Sequence, residues 1–171
     1  MGSVPEVEIR RHEGLRSDLR GLFLLAEDSP QELVRYMELG RVLVAVERDA
    51  IVGHLQLVPC DAAGEMELRS MAVAEGRQRR GVGRALVDRA IEESRAAGVR
   101  TLLVGTAAAD TGNLRFYQRC GFRVLRVERD AFTAAAGYPP GLEIDGIPLR
   151  DRVWLEQILT FARGESDRGG A

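Results

Sequence analysis

Cysteine is scarce in this chain: Cys60 and Cys120 are the only two among 171 residues, and they form neither a CxxC pair nor a zinc spacing. They read as two free thiols in a reducing cytosol, and no metal site is expected. An excess of charge of one sign is also missing. The 24 Lys+Arg residues stand against 26 Asp+Glu, a formal net charge of −2, which gives no general case for nucleic-acid binding. No long apolar run and no signal-like segment occurs, so neither a membrane span nor secretion is expected, and the chain is placed in the cytoplasm. There is no internal repeat. What is present is ordinary for a globular protein: 45% hydrophobic and 29% charged residues in a length suited to one domain with a genuine core. That domain is expected over residues 1–162, with the polar, glycine-rich stretch 163–171 as a frayed tail.

Periodicity supplies the elements. Val7 to Arg10 alternates weakly as a first strand, and LRSDLRGLFLLAED carries Leu15, Leu19, Leu22, Phe23 and Ala26 at helical spacing. A second helix opens at SPQE, with Ser29 as cap, Pro30 at the first helical position and Glu32 completing a capping box. Gly40 stops it. RVLVAVE and IVGHLQLV are rich in β-branched residues and joined by a short turn, which predicts a hairpin. A third strand of that group runs from Glu65 to Val73, followed by a helix in GRALVDRAIEESRAA that closes at Gly98. TLLV is a short apolar strand, NLRFYQRC a helix ended by Gly121, and FRVLRVE a strand. Residues 138–147 read as loop with a DG turn, and LRDRVWLEQIL as a last strand running into a helix. Helices set among mostly hairpin-connected strands indicate a mixed α+β sheet without the alternation of a Rossmann domain.

The stretch QRRGVGRAL, Gln78 to Leu86, puts two glycines beside three arginines at a helix start. A helix N-terminus leaves backbone N–H groups unpaired and carries partial positive charge, so it attracts phosphate. Glycines at 81 and 83 let a phosphate approach the backbone, and Arg79, Arg80 and Arg84 add side-chain charge. A P-loop needs GxxxxGK[ST], which is absent. A Rossmann fingerprint needs a third glycine where Leu86 stands and an acidic residue after the next strand, where TLLVG has none. A pyrophosphate cradle for coenzyme A fits the spacing. Taken alone, the loop equally suits a turn with solvated arginines.

The wider segment, MAV, four residues, then QRRGVGRAL, resembles the acyl-CoA loop of the GNAT family of N-acetyltransferases. The family pattern is glutamine or arginine, two free positions, glycine, one free position, then glycine or alanine; Gln78, Gly81 and Gly83 match it. FYQRCGF, residues 116–122, resembles the family's second signature, a helical tyrosine ahead of a Gly-Phe pair. The resemblance implies a central mixed, mostly antiparallel sheet flanked by helices and splayed between its fourth and fifth strands. It implies acetyl-CoA as donor co-substrate, no metal, and direct transfer to a primary amine of a small molecule or peptide. Nucleic acid and membrane are not implied as partners, and a homodimer is left open.

The chemistry sets three demands. The amine must shed a proton, since an alkylamine of pKa ~10 is mostly ammonium at neutral pH. The oxyanion needs a fixed donor, and the leaving thiolate needs a proton or a hydrogen bond. By resemblance, Met71, Ala72 and Val73 hold the pantetheine arm with their backbone, the Met71 N–H meeting the acyl oxygen. Gln78, Arg79, Arg80, Gly81, Val82, Gly83 and Arg84 hold the phosphates. Tyr117 matches the family's general acid, although proton transfer to a thiolate is uphill by about 2 kcal/mol, which leaves a hydrogen bond as the alternative role. Glu67 is the candidate base, directly or through water. The plainer alternatives are strand pairing for the Met71–Val73 trio, a core position for Tyr117, and an arginine partner for Glu67. Asn113 either bonds the cofactor arm or caps its helix; family members place an asparagine further upstream, where this chain has Asp110. His54 reads as a hydrogen-bonded structural histidine and Cys120 as a packing residue. On the acceptor side, Glu143 and Asp145 are candidates for attracting a cationic amine, with Tyr138 and Trp154 walling its pocket; the plainer reading of each is a solvated loop acid or a buried aromatic. A non-catalytic acyl-CoA-binding module is the rival reading.

Overall fold

The computed structural model describes residues 7–159. Seven strands form one sheet: β1 (Glu8–Arg11), β2 (Arg41–Glu47), β3 (Ala50–Pro59), β4 (Glu65–Val73), β5 (Thr101–Ala107), β6 (Arg123–Glu128) and β9 (Arg152–Ile158), ordered β1-β2-β3-β4-β5-β9-β6. Every neighbouring pair is antiparallel except β4–β5. A separate two-residue hairpin, β7 (Glu143–Ile144) with β8 (Ile147–Pro148), turns on Asp145 and Gly146, both at positive φ.

Helices cover both faces. On one, α3 (Val82–Ala96) and α4 (Thr111–Arg119) pack Leu86, Val87, Ala90 and Tyr117 against Leu43, Leu55, Leu68, Val104 and Leu155. On the other, α1 (Arg20–Ala26) and α2 (Pro30–Tyr36) place Phe23, Leu33 and Tyr36 against Val42, Val44 and Val46. This explains why RVLVAVE reads as an unbroken apolar run: alternate residues of β2 enter two different cores.

Local chemistry accounts for most element ends. Ser29 Oγ accepts from the Glu32 N–H at 3.2 Å, but the capping box is only half made. Glu32 is drawn to Arg35 and Arg69, and Glu27 accepts the Ser29 N–H in its place at 3.0 Å. Gly40 holds φ +58°, and a Cβ there would lie 2.0 Å from the Leu57 carbonyl oxygen, so only glycine fits.

Two expectations need correction. The first helix is broken, with a 3₁₀ turn at Arg16–Leu19 ahead of α1. The final segment through Leu159 contains no helix; β9 pairs along its length with both β5 and β6, which holds it extended. The expected tail at 163–171 lies outside the described residues.

The feature that positions the site is a split. β4 and β5 pair only from Glu65–Thr101 to Leu68–Val104, although both strands continue further. The cause sits in β4, where the register against β3 steps from Leu57–Leu68 to Gln56–Ser70. Arg69 is thus an extra residue, a bulge that bends the strand away from β5.

Candidate active site

The bulge also decides which way the amides of β4 point. Ala74 N–H bonds the Val52 carbonyl at 2.8 Å, so in this antiparallel ladder Ala72 and Ser70 face β3 with their N–H and C=O groups. Met71 and Val73 therefore turn theirs toward β5, where pairing has already ended. The same alternation on β5, fixed by the Ala108 N–H bond to the Asp151 carbonyl, turns Gly105 and Ala107 toward the split from the other side. Of the expected trio, Met71 and Val73 offer backbone groups to the gap. Ala72 lines the cleft, but its amide is held by β3.

The cleft that runs through the split has a volume of about 820 Å³, ample for an extended ligand arm. At one end lies the loop before α3. Gln78 Nε2 donates to the Val73 carbonyl at 3.1 Å, and Arg77 pairs with Glu47, so the loop is pinned to β4 and β2. Gly81 sits at φ +83° as the α3 N-cap, and no atom lies within 4 Å of a Cβ built there. The amides of Gly81, Val82, Gly83 and Arg84 have no acceptor among the described residues, as expected for a first helical turn. Open space above unsatisfied donors at the positive end of a 15-residue helix fits a pyrophosphate.

The side chains of this stretch divide. Arg79, at φ 59°, and Arg84 line the cleft, whereas Arg80 does not. Arg84 is tied to both Asp88 oxygens, at 2.9 and 3.1 Å, and to the Arg119 carbonyl. Val82 is buried, so only its amide faces the loop. A Cβ on Gly83 would lie 3.5 Å from the Phe116 ring, an ordinary contact, so the packing of α3 against α4 does not itself require glycine there.

α4 brings Tyr117 to the same cleft. Its ring is edge-on to Phe116 and Phe122, with centroids 5.1 and 5.8 Å away. Burial, with added negative influence from Cys120 and Asp110, pushes its pKa far above the ordinary tyrosine value. The phenol therefore stays protonated and keeps a hydrogen to donate. Asn113 lines the cleft but is not the cap; Asp110 is, accepting the Asn113 N–H at 2.8 Å. That role explains an aspartate at this position.

Across the sheet the cleft opens between the α1–α2 turn and the 132–154 segment. Glu67 Oε1 lies 3.3 Å from Arg69 Nη1, and Arg69 also reaches Glu32 at 3.6 Å while stacking 4.5 Å from the Tyr36 ring centroid. Glu67 thus has the arginine partner that was its plainer alternative. Tyr138 and Trp154 do line the cleft, but Glu143 and Asp145 are exposed on the small hairpin and do not. Glu27, Asp28, Phe132 and Arg152 line it instead. Sequence reasoning missed these four, because a lone acid after an apolar helix carries no local signal. His54 is fully buried, its Nε2 2.9 Å from Ser70 Oγ and its ring 4.3 Å from Phe23; it is structural. Cys120 is buried, which raises its thiol pKa and leaves it inert. No group of three or more metal-ligating side chains occurs among the described residues.

Known proteins share this fold. The profile of the Acetyltransferase (GNAT) family matches residues 12–122. The N-acetyltransferase YvbK of Bacillus subtilis is 31% identical over 153 residues, 90% of this chain and 97% of that one. A Bacillus subtilis acetyltransferase solved in complex with CoA superposes with a TM-score of 0.82 at 31% identity, covering 91% of this chain and 100% of the other. A GNAT family acetyltransferase from Elizabethkingia anophelis with acetyl-CoA bound gives 0.79 at 29% identity, covering 90% and 98%. A chain that matches the family profile across most of its described length, and shares the fold of CoA-bound relatives over about nine tenths of its residues, belongs to the GNAT family of acetyltransferases, with acetyl-CoA as its donor.

Proposed function

We propose that this enzyme transfers an acetyl group from acetyl-CoA directly to a primary amine of a small molecule or peptide. The observation that carries this reading is the split itself. Free backbone groups of Met71 and the protonated Tyr117 hydroxyl line one continuous cleft that leads from a phosphate-suited loop to an acidic, aromatic-walled opening.

Acetyl-CoA supplies the acyl group as a thioester, activated for attack by an amine. The chain's residues do the rest. The amides of Gly81 to Arg84, with Arg79, hold the pyrophosphate. Val73 and Met71 fix the pantetheine arm by adding the partner that β5 no longer provides. The Met71 N–H points where negative charge develops on the acyl oxygen, a donor already in place before reaction. Tyr117 holds a hydrogen-bonding proton toward the departing sulfur. Its raised pKa makes full proton transfer to a thiolate more uphill than for free tyrosine, so donation of a hydrogen bond is its role. At neutral pH on the order of one alkylamine molecule in a thousand is uncharged. Glu67, held by Arg69, takes the amine's proton through water. The free thiols Cys60 and Cys120 support a cytoplasmic setting.

Thiol release from acetyl-CoA, followed across a panel of polyamines, aminoglycosides, amino acids and N-terminal peptides, tests the reading. Turnover with at least one amine is expected. Tight CoA binding by calorimetry with no thiol release from any amine would identify a non-catalytic acyl-CoA-binding module instead.

A further inference from the structure

The acceptor side of the cleft carries one carboxylate that the transfer reaction leaves unused. Glu67 is occupied by Arg69, and Arg152 is occupied by Glu128 at 3.2 Å and by the faces of Phe132 and Trp154. Glu27 is different. Among the described residues it forms no ion pair, yet it is half-buried and lines the cleft. Asp28, exposed beside it, adds a second unpaired acid at the mouth.

Glu27 is also held still. Its Oε1 accepts from the Tyr138 hydroxyl at 2.8 Å and the Ser29 N–H at 3.0 Å, and its Oε2 accepts from the Tyr36 hydroxyl at 3.3 Å. Each carboxylate oxygen can take two donors, so Oε2 keeps one vacancy. Burial and the Glu27 charge raise both phenols' pKa, so the two donors cannot become competitors for a cation. Arg69 lies near enough for the two charges to feel each other, but its guanidinium is held by Glu67 and Glu32 and makes no salt bridge to Glu27. A fixed carboxylate with a spare lone pair, no salt bridge of its own and an opening to a substrate cleft is prepared for a positively charged group.

That group is not the reacting amine. A carboxylate contact favours the ammonium form, whereas attack on the thioester needs the neutral amine. A second ammonium on the same molecule meets no such conflict, and its binding energy orients the reacting end. We infer that Glu27 determines acceptor specificity by binding the non-reacting ammonium of a di- or polyamine, with Phe132, Tyr138 and Trp154 walling the carbon chain. This rests on the acetyl-transfer reading above and names the substrate class for that site.

The test compares 1,5-diaminopentane with pentylamine, a monoamine of equal length, on the full chain saturated with CoA for binding and with acetyl-CoA for turnover. The wild type is expected to favour the diamine by about tenfold or more in Kd and in kcat/KM, the scale of one charged hydrogen bond. Glu27→Gln keeps the shape and one oxygen for Tyr138 and Ser29, while its amide nitrogen donates to the Tyr36 hydroxyl in the reverse sense. It should erase that preference while leaving the KM for acetyl-CoA unchanged. Tyr138→Phe, which loosens the carboxylate without removing it, should reduce the diamine preference by a smaller factor than Glu27→Gln does. No diamine preference in the wild type, or a preference that survives Glu27→Gln, overturns the inference. Failure of acetyl transfer would look different: a Glu27-dependent diamine preference in calorimetry with no thiol release keeps the binding site and removes the reaction.

Discussion

Proline placed at two adjacent positions of β4 gives opposite results if the amide directions are as described. Ala72 donates its N–H across to β3, opposite His54, in the middle of the sheet. Ala72→Pro removes that bond, leaves a buried carbonyl unpaired and drives the ring against the neighbouring strand. The loss is about 3 kcal/mol or more, which for a chain of this size lowers Tm by roughly 10 °C or prevents folding. Met71 turns its N–H into the split, where β5 offers no acceptor. Met71→Pro breaks no ladder bond and loses only part of a half-buried side chain packed on the core, about 1 kcal/mol and roughly 3 °C. Its effect on catalysis is the larger one. Removal of a fixed oxyanion donor lowers kcat by about 10²–10³-fold. Thermal unfolding by circular dichroism and thiol-release kinetics measure both quantities on both variants. If Met71→Pro unfolds as Ala72→Pro does, the Met71 amide belongs to the sheet and the split holds no donor. If it folds and turns over at the wild-type rate, the acyl oxygen lies elsewhere.

Other outcomes follow from the same geometry. Tyr117→Phe keeps both edge-on ring contacts and removes the hydroxyl alone, so kcat should fall about 10²-fold with CoA affinity nearly unchanged; equal losses in both would mark the tyrosine as structural. Gly81→Val forces a β-branched residue to φ +83°, costing about 1–2 kcal/mol, and should raise the Kd for CoA at least about tenfold by disturbing the amide cradle. Calorimetry showing unaltered CoA binding would move the cradle elsewhere. His54 is kept neutral, first by burial and then by the Arg16 charge, which lower its pKa from 6.5 to about 3. Below pH ~6.5 the unfolded chain binds a proton that the native state refuses, so this contribution is whole above that pH and is lost as pH falls toward 3. The loss is about 2 kcal/mol by pH 5. Urea midpoints at pH 7 and pH 5 should differ less for His54→Gln than for the wild type, and parallel profiles would refute the assignment.

The parts of the site that were legible in the chain are those built from neighbours in sequence. Glu65 to Val73 was read as a strand with the observed ends, and the loop and helix after it follow directly. Ser29 was recognised as a cap, but the Glu32 half of its box was not made, because Arg35 and Arg69 compete for that carboxylate. The final strand was placed, yet an attached helix was expected; nothing local states that β9 enters between β5 and β6 and pairs with both. The acids of the acceptor side are hidden from the sequence for the same reason: Glu143 and Asp145 are the solvated loop acids of their plainer reading. Glu143 and Asp145 lie near Tyr138 in the chain, but Glu27, 111 residues from it, is the acid that Tyr138 reaches.

Donor recognition was legible in the sequence, because the glycine turn and the helix N-terminus are local backbone geometry within residues 78–86 and their resemblance to the GNAT signatures names what they hold. The bulge and the split that admit the arm depend instead on pairing with β3 and β5. The acceptor side was decided by tertiary structure. Its walls come from residues 25–28, 67–69 and 132–154, brought together only when α1 packs on the sheet beside β4 and β9 is inserted beside β5. Which carboxylates keep their charge free there depends on which arginines arrive beside them, and long-range packing settles that.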